Sequence, residues 1–139
     1  MPSAAPLRPS PLLAFALFAG ALLAGAARAD QPQSRSEIPL EGFRIRVDDR
    51  LLPGGEEEAL GREALDFLRA KLVDIRLVMP PEKLARLREV TIVLDVSCGE
   101  LASMQYHPSA DWLADHGYPR DLARCVHLPR AADVATARG

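Results

Sequence analysis

One long stretch has apolar residues recurring every three to four positions. It lies between two stretches that alternate with a period of two, and that order leaves few folds open. From Gly42 to Asp49, Phe43, Ile45 and Val47 point one way and Arg44 and Arg46 the other. This is the pattern of a half-buried strand with one wet face. Leu52-Pro53-Gly54-Gly55 breaks the chain, and Glu56, Glu57 and Glu58 follow, where carboxylates favour the positive end of a helix. Leu60, Ala64, Leu68, Leu72 and Ile75 then recur at spacings of four, four, four and three, and Leu65, Phe67 and Val78 widen the stripe. That spacing predicts an amphipathic helix. Met79-Pro80-Pro81 stops it, since a residue before proline is driven out of the α region. Pro81 to Arg88 predicts a short second helix with Leu84 and Leu87 turned inward. In the next segment, Val90, Ile92, Leu94 and Val96 share one face and Thr91, Val93 and Asp95 the other. That is a strand packed against the long helix. A crossover helix of this length lets the two strands lie parallel in one sheet.

The remainder is more broken. Cys98 to Gln105 reads as a loop. Tyr106-His107-Pro108-Ser109 leads into a short helix, Ala110 to His116, with Ser109 as N-cap and Gly117 as the C-terminal stop. Trp112 and Leu113 are its apolar anchor. Asp121 to Arg124 makes another turn. Cys125 to Leu128 is a third strand ended by Pro129, and Ala131 to Arg138 begins a helix. The expectation is an α+β (α/β-like) fold in one small domain, residues 41–139. It would hold a small mixed sheet of about three strands, one long helix and short helices. Asp30 to Leu40 is polar, carries Pro32 and Pro39, has no periodicity, and reads as a flexible lead-in.

The first 29 residues address the chain. Arg8 gives a weakly basic start, Leu12 to Ala27 is uninterruptedly apolar or small, and Ala27-Arg28-Ala29 is a small-x-small exit. This is the order of a secretory signal peptide. The apolar run of about 16 residues is shorter than the roughly 20 that span a bilayer. The leader is expected to be cleaved, with a retained N-terminal anchor as the alternative. The product would be exported to the periplasm or beyond the cell, with no membrane attachment after cleavage. Arg8 and Arg28 are two of the 17 basic residues, and the leader holds no acid. The mature chain therefore carries 15 basic against 19 acidic side chains, a net charge of −4. This argues against nucleic acid or an anionic membrane as a general partner. In an oxidising compartment the two cysteines, Cys98 and Cys125, read as a disulfide. Closing a loop of 28 residues would contribute roughly 3–4 kcal/mol. Free buried thiols and metal-ligating thiolates are the alternatives.

No complete catalytic set is evident in residues 30–139. A zinc site needs three or four converging ligands. His107, His116 and His127 show no ligand spacing, and the His-Glu-x-x-His helix is absent. His107 reads as a loop-packing or capping residue, His116 as a C-terminal helix residue, and His127 as an edge-strand residue. Ser97 and Ser109 lie outside any Gly-x-Ser-x-Gly elbow. Asp111 and Asp115 are four apart on one helix face. They read as solvated, and a hydrolase built from Asp111, Asp115 or His107 would require those side chains to converge.

Tyr106-His107-Pro108-Ser109, Trp112-Leu113, His116-Gly117-Tyr118 and Ala123-Arg124-Cys125-Val126-His127-Leu128 together resemble a segment of secreted bacterial zinc metallopeptidases. The preceding strand and long helix fit the same pattern, so the resemblance covers most of residues 43–138. In that family a His-Glu-Leu-x-His helix follows soon after the segment corresponding to Val126–Arg138 and holds the zinc and the general base. The resemblance implies an incomplete zincin-like upper subdomain with Cys125, Val126, His127 and Leu128 as the substrate-binding edge strand. Tyr106, His107, Trp112 and His116 are motif residues without an assigned role. It implies no catalytic or metal-binding residue within this chain and zinc only in a full-length relative. The partner of a complete chain would be a peptide or protein substrate. The function expected is that of an exported metallopeptidase fragment inactive by itself. The alternative is a small exported, disulfide-containing binding or inhibitory module. The oligomeric state is left open.

Overall fold

The computed structural model describes residues 30–137; the expected signal peptide lies outside the described residues. The strands are β1 (Arg35–Leu40), β2 (Phe43–Asp48), β3 (Ile92–Leu94), β4 (Gln105–Tyr106) and β5 (Val126–Leu128). The helices are α1 (Glu58–Val78), α2 (Pro81–Leu87), α3 (Ala110–Asp115) and α4 (Ala131–Thr136), with 3-10 turns at Asp49–Leu51 and Arg120–Leu122. The fold is α+β, and one mixed five-stranded sheet runs β1-β2-β3-β5-β4. The three central strands are parallel, with Ile45 opposite Ile92 and Ile92 opposite Val126. Both edge strands are antiparallel to their neighbours.

Two strands were not foreseen. The supposed lead-in contains β1, which pairs along its whole length with β2. Glu41 and Gly42 join them with φ of 52° and 84°, the positive pair that a two-residue hairpin turn needs. Ile38 and Leu40 sit opposite Ile45 and Phe43, so β1 borrows the hydrophobic pattern of its partner. Pro39 is tolerated because β1 is an edge. The other unforeseen strand, β4, is two residues long and pairs Gln105 and Tyr106 with His127 and Val126.

The sheet packs on both sides, with part of one face left open to a cleft. On one face Phe43, Ile45, Val47, Ile92, Leu94 and Leu128 pack with Ala64, Leu68 and Leu72 of α1, Leu84 of α2, and Ala131 and Ala135 of α4. Val93 points the other way and joins a smaller core with Cys98, Leu113, Leu122 and Cys125. The excursion 97–125 covers this second face. Gly61 brings α1 against the 3-10 turn, where a Cβ would stand 1.8 Å from the Leu51 carbonyl oxygen. Val78 does not widen the buried stripe: it is 75% exposed. Leu87 is half-exposed, on the rim of a groove described below.

Candidate functional site

The second face holds a chain of buried polar side chains that starts at the end of β1. Arg35 donates to Asp95 through Nε (2.7 Å to Oδ1) and Nη2 (2.8 Å to Oδ2). His127 Nε2 lies 2.7 Å from the same Oδ2, and His127 Nδ1 lies 3.1 Å from His107 Nε2. A carboxylate can only accept, so His127 donates from Nε2. With His127 neutral, its Nδ1 must then accept, and His107 donates from Nε2. The four side chains therefore read Arg35–Asp95–His127–His107, donors and acceptors in order. Asp95 and His127 are fully buried and His107 nearly so. Burial pushes the Asp95 carboxyl up, but the bonds from Arg35 and His127 outweigh it and hold it below the usual carboxylate range. Burial, and then the neighbouring His127, push the His107 imidazole down.

Further bonds fix His107 at the backbone. Its N–H donates to the Cys125 carbonyl (3.4 Å), and its carbonyl accepts from Arg124 N–H (2.7 Å). The His107 ring is stacked with Trp112 at 6.4 Å, and Trp112 stacks on His116 at 4.1 Å. Leu113 is the buried anchor of α3; Trp112 is 45% exposed, a correction to its expected role in the core. Ser109 caps the helix as expected, accepting from Trp112 N–H at 3.2 Å. His116 sits at the C-cap with Nδ1 2.8 Å from the Trp112 carbonyl oxygen. Asp111 pairs with Arg120 on the surface. Asp111 and Asp115 are exposed while His107 is buried, so these three do not converge.

Cys98 and Cys125 are both buried free thiols in the second core. The donor atoms of Asp95, Cys98 and His127 lie within 4.8 Å of one another. Burial, and then the Asp95 carboxylate, push the Cys98 thiol up to about 12. Asp95 takes three hydrogen bonds, two of them from the Arg35 guanidinium.

The opposite face carries a different feature. A cleft of about 580 Å³ runs beside α1, floored by Ile92, Val126 and Leu128 of the sheet and walled by Phe67 and Leu68. Val134 and Ala137 close one side; Met104 and Tyr106 form a rim. Met104 and Tyr106 are 68% and 53% exposed. The expected edge strand is therefore displaced. Val126–Leu128 lies inside the sheet between β3 and β4, Cys125 precedes it, and the free edge beside the cleft is β4. Neither Arg35 nor Asp95 carries a sequence signal for this role: Arg35 lies in a segment without periodicity, and Asp95 is one polar residue on a strand's second face. Among the described residues no helix is long and apolar enough to cross a membrane. Comparison with protein-family models, with curated proteins and with solved structures gives no match.

Proposed function

We propose that residues 35–137 are the substrate-shelf half of a zinc-metallopeptidase-like domain, with no hydrolytic activity in this portion alone. The observation that supports this reading is the apolar cleft beside α1, bordered by the exposed antiparallel edge β4. A helix carrying His-Glu-x-x-His would lay its apolar side on Val126, Leu128 and Phe67 and bring metal and general base under the edge. An extended peptide would add to β4 through main-chain hydrogen bonds. In this role β4 replaces the strand expected from the sequence. Export through the 1–29 leader and a peptide substrate belong to the same proposal.

Translating the coding DNA beyond codon 139 in all three frames tests it. A His-Glu-x-x-His helix within a few dozen codons supports the reading; its absence from every frame overturns it. The same cleft favours one second reading, a small exported binding module that seats an apolar partner segment in trans. That reading gains if no such helix is encoded and the purified chain is monomeric and folds cooperatively.

A further inference from the structure

We propose that the Asp95–His127–His107 chain is an acid-sensitive latch that docks the 97–125 excursion, and with it edge strand β4, onto the sheet. This goes beyond the peptidase reading and does not depend on it. The latch adds a buried side-chain bond between two segments that the short β4–β5 backbone ladder also pairs. His127 belongs to β5, while His107 follows β4 and is held to Arg124 and Cys125 by two backbone bonds. Arg124, between those bonds, has φ of 60°, a left-handed conformation that a side chain occupies only under constraint.

The proton count sets the switch. The neutral network carries one proton per imidazole. One added proton can be accommodated: His127 then donates from both nitrogens, to Asp95 and to His107, whose proton moves to Nδ1. A second proton leaves two N–H groups and two positive charges facing each other, and the bond becomes a repulsion.

The surroundings supply no compensation among the described residues. From β1 comes the Arg35 guanidinium and from the residue after β3 the Asp95 carboxylate, and these already neutralise each other. Cys98, beside Asp95, and Cys125, next to β5, hold their protons, burial pushing both thiols up. From α3 comes Trp112, with His116 on its far ring. Arg46 of β2 and Asp121 of the Arg120–Leu122 turn pair with each other. The depressed His107 is consistent with this arrangement. A histidine whose folded value lies below its ordinary value near 6.5 gives stability that is present above that value and lost as pH falls.

The experiment is amide hydrogen exchange of the full chain, read by mass spectrometry at about pH 7 and about pH 5 and corrected for intrinsic exchange. The expected result is a roughly tenfold or larger loss of protection at about pH 5 in segments 105–107 and 123–128, with α1 unchanged. His107→Gln keeps an N–H donor toward His127 but cannot titrate, so it should stay docked at both pH values. Should that variant fail to fold, the histidine ring resonances of the unmodified chain decide. The His107 resonance must then change over the same pH range as the loss of protection. Unchanged protection at about pH 5, the same loss in a folded His107→Gln, or a His107 titration separate from the loss of protection would each overturn the proposal.

Discussion

Asp95→Asn is the most informative single substitution. The Asp95 carboxylate is completely buried and Arg35 is 7% exposed, so neither charge is satisfied by water. The wild-type carboxylate meets three donors with acceptors only. Asparagine turns one acceptor into an NH2 group that must face Arg35 or His127, donor against donor. Arg35 also loses its counter-charge. Breaking a buried pair from one side costs about 3–5 kcal/mol; because one carbonyl acceptor survives, the lower end applies, about 3 kcal/mol. A domain of this size is stable by roughly 5–15 kcal/mol, so the variant should fold with a visibly lower urea midpoint and an unchanged m-value. Far-ultraviolet circular dichroism measures this without relying on Trp112. The sign with pH is fixed by the depressed Asp95 carboxyl. Its contribution is present above the unfolded value near 3.9 and is lost as pH falls through the folded value. The gap between wild type and variant should therefore persist down to about pH 4 and close below it. A loss under about 1 kcal/mol, or a gap indifferent to acid, would refute the buried-pair reasoning.

Gly61→Ala should destabilise by about 1–3 kcal/mol, although alanine is the better helix former, because the added Cβ would stand 1.8 Å from the Leu51 carbonyl oxygen; an unchanged or higher melting temperature would count against the close approach. Ser109→Ala removes the α3 cap and should cost about 1 kcal/mol, read by urea unfolding, with no effect if the bond to Trp112 N–H is not made in solution. Cys98, its thiol pushed up to about 12, should react with iodoacetamide in the folded chain at least about a hundredfold more slowly than in urea. Peptide mapping of the alkylated cysteine checks this, and comparable rates would show that the second core opens readily.

What could be read from the sequence was what repeats along it. The α1 stripe at Ala64, Leu68 and Leu72, the alternation of β2, and the Ser109 cap depend on neighbours three or four residues away at most, and all three recur in the structure. The parallel placement of β2 and β3 followed from the length of the helix between them. The missed elements depend on distant partners. β1 takes its order from β2 through a two-residue turn, and β4 is too short to show any period. The polar chain was hidden for the same reason. Arg35, Asp95, His107 and His127 span most of the domain in sequence, and only the crossing of β1, β3 and β5 brings them together. The exposed cleft and its border at β4 depend on the strand order and on packing between distant segments.

The central strand β3 has three residues, lies between two parallel neighbours, and contributes to both cores. This has a kinetic consequence. A chain emerging N-terminus first can close the β1–β2 hairpin and wind α1 early, since their contacts are local. The sheet's middle must wait for Val126–Leu128, near the end of the described residues, to arrive beside Ile92–Leu94. Until then β3 has a bare flank and the second core has no lid. Non-local pairings of this kind slow the rate-limiting step and lengthen the time that strand edges stay open to other chains. The order of synthesis therefore makes β5 the closing piece of the sheet.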